Sequence, residues 1–168
     1  PNDLKRIFDI VASGIGLILL SPLFIILTIW IKCDSIGPVF YKQVRVGRNN
    51  MDFQLFKFRS MRVGSDKKGL ITVGGHDPNV FKGDMSLVGP RPEVRKYVDM
   101  YTEEQMHVLD VRPGITDLAS IRYRNENELL ERVNDPDKYY VEVIMPDKLR
   151  INLEYVARHS FTFDIRLI

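Results

Sequence analysis

Residues 10–31 read IVASGIGLILLSPLFIILTIWI, 22 consecutive residues without a charge. As one straight helix this stretch measures about 33 Å at 1.5 Å per residue, against roughly 30 Å of hydrocarbon in a bilayer. It is too long and too evenly apolar for a signal-peptide core, and no small-x-small cleavage site follows it. Ser21-Pro22 sits at its centre. An interior proline removes one backbone donor and crowds the turn before it, at about 3 kcal/mol in an ordinary helix, although membrane helices tolerate it. Both flanks are basic: Lys5 and Arg6 come before, and Lys32, Lys42, Arg45 and Arg48 come after. The positive-inside bias therefore draws both ends to the cytoplasmic face. These residues admit two arrangements, a kinked span and a hairpin that enters one leaflet and returns, broken at Ser21-Pro22. Asp9, at the segment's start, is expected at headgroup depth beside a cation. Trp30 fits an interfacial anchor.

Outward from this segment, 168 residues allow one domain with a real core and are short for two. The net charge of +2 says little, but its distribution says more. From position 42 to 68 there are eight cations (Lys42, Arg45, Arg48, Lys57, Arg59, Arg62, Lys67, Lys68) against Asp52 and Asp66, a net of +6. Such a surplus directly after a membrane segment points to anionic headgroups or a phosphorylated ligand, the plain alternative being a solvated basic face. Nucleic acid fits poorly, because the cluster abuts a membrane segment and no groove-reading module accompanies it. Cys33 is the sole cysteine, so intrachain disulfides and multi-thiolate zinc sites are excluded.

After the turn at Gly37-Pro38, VFYKQVRVG (39–47) and MDFQLFKFRSM (51–61) alternate like two strands of a hairpin joined at Asn49-Asn50. Lys57 and Arg59 then share one face. Two parallel cations call for an anion between them or for acids of the chain itself. Residues 92–109 have a helical pattern, and Thr102 with Gln105 forms a capping box that starts a new helix. Arg122 and Arg124 stand at strand spacing, residues 125–135 suit a short amphipathic helix, and Pro146 is expected to break the chain before a helix over 147–156. The histidines at 76, 107 and 159 are scattered and suit surface or capping positions. There is no G-x-S-x-G elbow, P-loop or H-E-x-x-H pair. The reading is α-rich α+β: a membrane-embedded helix-break-helix over 1–35, and a cytoplasmic domain over 36–168 with helices and a short β-hairpin.

Four features taken together resemble one family: the apolar segment broken at Ser21-Pro22, KFRSM at 57–61, KGDMSLVGPRP at 82–92, and RPGIT at 112–116. They occur in order along nearly the whole chain. The chain resembles the bacterial sugar transferases, monotopic polyprenyl-phosphate phosphoglycosyltransferases. The resemblance implies transfer of a sugar-1-phosphate from a nucleotide diphosphate sugar to undecaprenyl phosphate, the first step of surface glycan or glycoconjugate assembly. It implies an Asp-Glu dyad whose Asp forms a covalent phosphosugar intermediate, with Mg²⁺ as cofactor. It also implies the bacterial inner membrane, the soluble part facing the cytoplasm, and favours the re-entrant hairpin. Membrane lipids are partners on this reading, and a homodimer is left open. Lys57, Arg59, Arg91, Arg112 and Arg124 are the implied phosphate, nucleotide or lipid-head contacts, since fixed positive charge is needed where a diphosphate gains charge. Arg91 between two prolines and Arg112 after a helix also have plain roles, bracing a loop and capping a helix.

Three departures stand out. Tyr123 replaces the family's glycine before Arg124-Asn125, and Asp117-Leu118-Ala119-Ser120 follows Thr116 where the family has Gly-x-Ala-Gln. The third is larger. His76-Asp77-Pro78 joins directly to Asn79-Val80-Phe81-Lys82, so both edges of the expected Asp-Glu-Leu-Pro-Gln segment are present and its middle is missing between Pro78 and Asn79. Glu103-Glu104 belongs to an ordinary helix start and is not a substitute. Either the intact protein carries a segment this string omits, or the segment has been deleted, or the chain is a dyad-less relative serving as a lipid-phosphate-binding scaffold of glycan assembly.

Overall fold

A computed structural model describes residues 3–34, 36–58 and 78–168. The apolar segment extends at both ends into one helix, α1, Asp3–Asp34, with Pro22 inside it. The predicted division into two helices at Ser21-Pro22 is not confirmed, and the local chemistry shows how the helix continues. Pro22 has no amide to donate to the carbonyl of Ile18 four residues back. The Ser21 hydroxyl donates to that same carbonyl at 2.8 Å, so the acceptor orphaned by the proline is satisfied from the neighbouring side chain. At 32 residues α1 is about 48 Å long, long and apolar enough to cross a membrane.

One stripe of α1 is polar. Lys5, Asp9 and Ser13 recur every four residues and so share a face, on which Asp9 and Ser13 are buried. The opposite surface carries Leu4, Ile7, Ile15, Ile18 and Leu19, all exposed. Asp9 was expected beside a cation at headgroup depth. It is 2% exposed, accepts from the Ser86 hydroxyl at 2.7 Å and the Leu87 amide at 3.2 Å, and lies near enough to Arg112 to favour its charged form. Its role is to bind the membrane helix to the domain.

β1 (Phe40–Val46) and β2 (Asp52–Phe58) form the predicted antiparallel hairpin, in register from Phe40 opposite Phe58 to Val46 opposite Asp52. Asn49 and Asn50 take positive φ at its turn, a conformation asparagine adopts more readily than most residues. A second, parallel pair was not anticipated: β3 (Ser86–Val88) lies against β4 (Gly114–Thr116). The VGPRP and RPGIT motifs are therefore neighbours in space. Gly114 donates to Pro90 at 2.9 Å and Gly89 to Thr116 at 3.0 Å. A Cβ on Gly114 would overlap the Gly89 backbone, and one on Gly89 would overlap the Arg112 carbonyl, so the two motifs need glycine where they cross.

The remaining elements are short helices with side-chain caps. α2 (Pro78–Lys82) ends at Gly83, whose φ of 106° turns the chain into β3. The helix expected over 92–109 is divided into α3 (Arg95–Val98), α4 (Glu103–Met106) and a 3₁₀ turn (His107–Asp110). The capping box predicted at Thr102 opens α4, with Gln105 as its reciprocal partner. Arg122 and Arg124 are not on a strand, because the Asp117 carboxylate accepts from the Ser120 amide at 2.7 Å and starts α5, Leu118–Arg122. α6 (Glu126–Glu131) and α7 (Pro136–Tyr139) follow. Pro146 does not break the chain. Helical backbone runs unbroken from α7 through a π turn, Tyr140–Ile144, into α8 (Met145–Arg158), so Pro146 lies inside a continuous helical run, and the π turn directly before it is where the ladder adjusts to the missing donor. α9 (Phe161–Leu167) closes the fold with Ser160 as its cap. Val108, Tyr140, Ile144, Met145 and Leu149 form one core beneath α8, and Leu55, Val80 and Met85 form a second beneath the hairpin.

Candidate functional site

Two cavities flank the crossing of the motifs. The first, about 370 Å³, lies at the foot of α1 and is lined by Lys5, Arg6, Asp9, Arg48, Ser86, Asp110, Arg112 and His159. Its cations come from three separate places. Lys5 and Arg6 project from the first turns of α1, Arg48 from the hairpin turn, and Arg112 from the residue pair before β4. Lys5 is matched by Asp164 at 2.5 Å and also donates to the Val88 carbonyl and the Tyr155 hydroxyl. Arg6 donates to the carbonyls of Val80 at 2.6 Å and Phe81 at 2.8 Å, closing the end of α2. Arg112 donates through Nε to the Gly83 carbonyl at 2.9 Å. Among the described residues, Arg6, Arg48 and Arg112 make no ion pair with a carboxylate. Burial lowers the Arg112 pKa from its ordinary value, and repulsion by Arg6 and Arg48 lowers it further, with Asp9 opposing. Like charges held this close cost free energy unless an anion joins them.

The second cavity, about 350 Å³, lies behind the PRP turn and is lined by Arg45, Arg91, Glu93, Tyr97, Tyr101, Glu126, Asp137, Tyr140, Lys148 and Asn152 among others. Its charges balance and mostly pair internally. Glu93 holds Arg45 at 3.4 Å and accepts from the Tyr140 hydroxyl at 2.5 Å, and Lys148 holds Glu126 at 2.8 Å. Burial depresses the Arg45 pKa, with Glu93 pulling it back up and Arg91 adding to the depression. Burial and Glu93 together push the Tyr140 phenol far above its ordinary value. Arg91 is exposed and makes no hydrogen bond or ion pair among the described residues, leaving its guanidinium available to a ligand.

The residues named from sequence thus fall in different places. Arg91 lines the second cavity and Arg112 the first. Arg124 is exposed beyond α5 and lines neither. The Lys57 side chain, all of Arg59 and the left half of the suspected seam lie outside the described residues. Lys5 and Arg6 stood out in the sequence only as flanking charge, and Arg48 also as one of the eight cations of 42–68 that point to anionic headgroups or a phosphorylated ligand. The i, i+4, i+8 spacing of Lys5, Asp9 and Ser13 on an otherwise apolar helix was the available signal that this end packs on a domain. Mg²⁺ finds no ready-made site: among the described residues, no three His, Cys, Asp or Glu side chains converge.

The bacterial sugar transferase family model matches residues 2–79 and 76–168. The chain belongs to the bacterial sugar transferase family. The chain is 39% identical over 142 residues to the UDP-N-acetylgalactosamine-undecaprenyl-phosphate N-acetylgalactosaminephosphotransferase of Aeromonas hydrophila, covering 70% of the chain and 34% of that protein. It is 35% identical over 185 residues to the uncharacterized sugar transferase EpsL of Bacillus subtilis, covering 98% of the chain and 83% of the relative. It is 31% identical over 190 residues to the UDP-glucose:undecaprenyl-phosphate glucose-1-phosphate transferase of Escherichia coli, covering 98% of the chain and 38% of that protein. The sugar transferase therefore spans about a third of the Aeromonas and Escherichia proteins and most of the Bacillus one. The two family segments meet at 76–79. The Bacillus alignment runs over 185 positions against 168 residues here, so at least 17 positions of it have no counterpart in this chain. With α1 and this family, the sugar transferase is membrane-associated.

Proposed function

We propose that this sugar transferase catalyses the transfer of a sugar-1-phosphate from a UDP-sugar to undecaprenyl phosphate at the inner membrane, beginning a surface glycan. The observation that carries the reading is family membership across both halves of the chain, with relatives named for that reaction. The geometry supports it. A helix long and apolar enough to cross a membrane carries a cationic cavity at its foot, and the free guanidinium of Arg91 stands at a separate, charge-balanced cavity. In the reaction the bond between the β-phosphorus and the bridging oxygen breaks, UMP leaves with that electron pair, and an oxygen of the lipid phosphate ends on the β-phosphorus. On this reading a carboxylate of an Asp-Glu pair forms the intervening phosphosugar ester. Fixed cations near the diphosphate stabilise charge as it moves to the leaving group. We assign Mg²⁺ no step, since the described residues hold no site for it. We further propose that α1 folds back at Ser21-Pro22, so that both its ends and the domain lie on the cytoplasmic side, the arrangement that the basic flanks and the family resemblance favour.

The test is release of UMP from UDP-glucose or UDP-N-acetylgalactosamine in the presence of undecaprenyl phosphate. The expected result is lipid-dependent release by an intact protein heavier than 19.5 kDa by more than any tag. One observation favours a second reading. The family match changes register at 76–79, where the acidic pair is expected. A purified mass of 19.5 kDa plus tag alone, with no UMP release from either donor, leaves the chain as a scaffold that binds lipid phosphate.

A further inference from the structure

We infer that the cavity at the foot of α1 is the seat of a lipid phosphate monoester, held by Arg6, Arg48 and Arg112. The inference rests on the transferase reading for the presence of such a lipid, and goes beyond it by assigning the site. The first ground is charge. Three guanidiniums from α1, the hairpin turn and the residues before β4 converge on one cavity, without a carboxylate pairing any of them among the described residues. Asp9, which lines the same cavity, has its oxygens occupied by Ser86 and Leu87. Asp110 is held by His107 at 2.9 Å. Arg48 has no side-chain hydrogen bond among the described residues, and Arg112 commits only Nε. Several guanidinium donors thus remain for the oxygens of a phosphate, the geometry arginine suits best.

The second ground is position. Lys5 and Arg6 share the first turns of α1 with Leu4 and Ile7, which are 60% and 59% exposed. The apolar face that meets lipid therefore begins at the level of the cavity. A ligand with its phosphate among the arginines can lay its hydrocarbon along this face, and a soluble phosphate gains nothing from it. A monoester presents three terminal oxygens and one substituent, so it can enter head first. A phospholipid diester carries substituents on both sides and two free oxygens. The neighbouring cavity is a poorer seat, because its cations are balanced by Glu93, Glu126 and Asp137.

The experiment is native mass spectrometry of the 168-residue chain released from detergent micelles, titrated with undecaprenyl phosphate, phosphatidic acid, phosphatidylglycerol or inorganic phosphate. The two lipid monoesters are expected to bind ahead of the diester. Replacing Arg48 by glutamate is expected to weaken them about tenfold, since one charge-assisted contact is lost and an acid put in its place. Arg48→Ala, which adds no repulsion, is expected to fall between. Equal binding of the two monoesters means that the site reads the head alone, and preference for undecaprenyl phosphate means that it reads the chain as well; both agree with the assignment. Arg48 variants within twofold of the parent chain, phosphatidylglycerol bound as tightly as phosphatidic acid, or inorganic phosphate competing at equal concentration would each overturn it. Thermal stabilisation by UDP-glucose, followed in the same samples, separates the two readings. If UDP-glucose stabilises the chain while monoesters ignore the cavity, only the assignment fails; if no UDP-sugar binds the parent chain, the transferase reading fails whatever the lipids do.

Discussion

Replacing Asp9 with alanine is expected to loosen the membrane helix from the domain. The carboxylate accepts from the Ser86 hydroxyl at 2.7 Å and the Leu87 amide at 3.2 Å, across 77 and 78 residues of sequence. Hydrogen bonds to a charged group contribute about 1.5–3 kcal/mol each. The variant recovers part of that, because it no longer buries a charge, and a net loss of about 3 kcal/mol is a reasonable centre. For a chain of this size each kcal/mol moves Tm by about 2–4 °C, so the variant should melt about 6–12 °C lower in detergent. Asp9→Asn is the control. Its amide can still accept from the Leu87 amide and donate to the Ser86 hydroxyl without the charge, so about half the loss is expected. A circular dichroism melt distinguishes the cases. If Asp9→Ala melts within about 2 °C of the parent, α1 and β3 are not coupled through this carboxylate and the reasoning fails.

Gly114→Ala should be more damaging than its size suggests, since the added methyl overlaps the Gly89 backbone; an urea midpoint unchanged by the substitution would show that the motifs do not cross as described. The sole cysteine, Cys33, is exposed at the far end of α1. A fold-back at Ser21-Pro22 predicts that a membrane-impermeant maleimide labels it in inverted vesicles and not in intact spheroplasts, whereas a span that puts residues 1–9 in the cytoplasm gives the reverse. Burial raises the phenols of Tyr101, Tyr140 and Tyr155, burial with the Asp137 bond raises Tyr97, and burial with the Asp147 bond pushes Tyr123 up to about 12. A phenol whose pKa is raised on folding stabilises the chain below pH 10 and loses that contribution as pH climbs through the folded value. Tyrosinate absorbance should therefore show these five still largely un-ionised at pH 10, and stability falling above pH 10; their full ionisation near pH 10 in the folded chain would contradict these contacts.

The elements legible in the sequence are those with a local signature. An uncharged run of 22 residues marks α1, alternation and Asn-Asn mark the hairpin, and Thr102 with Gln105 marks a helix start because both halves of the cap lie within four residues. β3 and β4 have no such signature. Each is three residues long, too short for a period, and their pairing joins segments 28 residues apart in register. Pro146 misled because a proline ordinarily breaks a helix interior, whereas here a π turn just before it lets the helix run on, and a π turn has no signature in the sequence. For the site, the arginines flanked by proline could be named from their motifs, but their assignment to two different cavities depends on that unforeseen parallel pair.

The pair also bears on the missing acids. α2 begins at Pro78, directly at the seam, and its other end is closed by Arg6 on the carbonyls of Val80 and Phe81. One residue further on, Arg112 holds the Gly83 carbonyl. The element that follows the seam is therefore clamped by two of the three arginines that line the lipid-side cavity. A helix carrying an acidic pair and running into α2 would be anchored, at its downstream end, to that same cavity. The arginines thus have a structural task that survives without the acids, tying α2 to α1 and to the residues before β4. Arg6→Gln should accordingly lower stability in the chain as it stands, whereas Arg48→Ala, which breaks no described contact and relieves repulsion on Arg112, should leave the melt unchanged or slightly higher and weaken only the lipid monoester. A parallel loss of Tm in both variants would mean that the cluster is held together by its own packing, and that no ligand is needed to explain it.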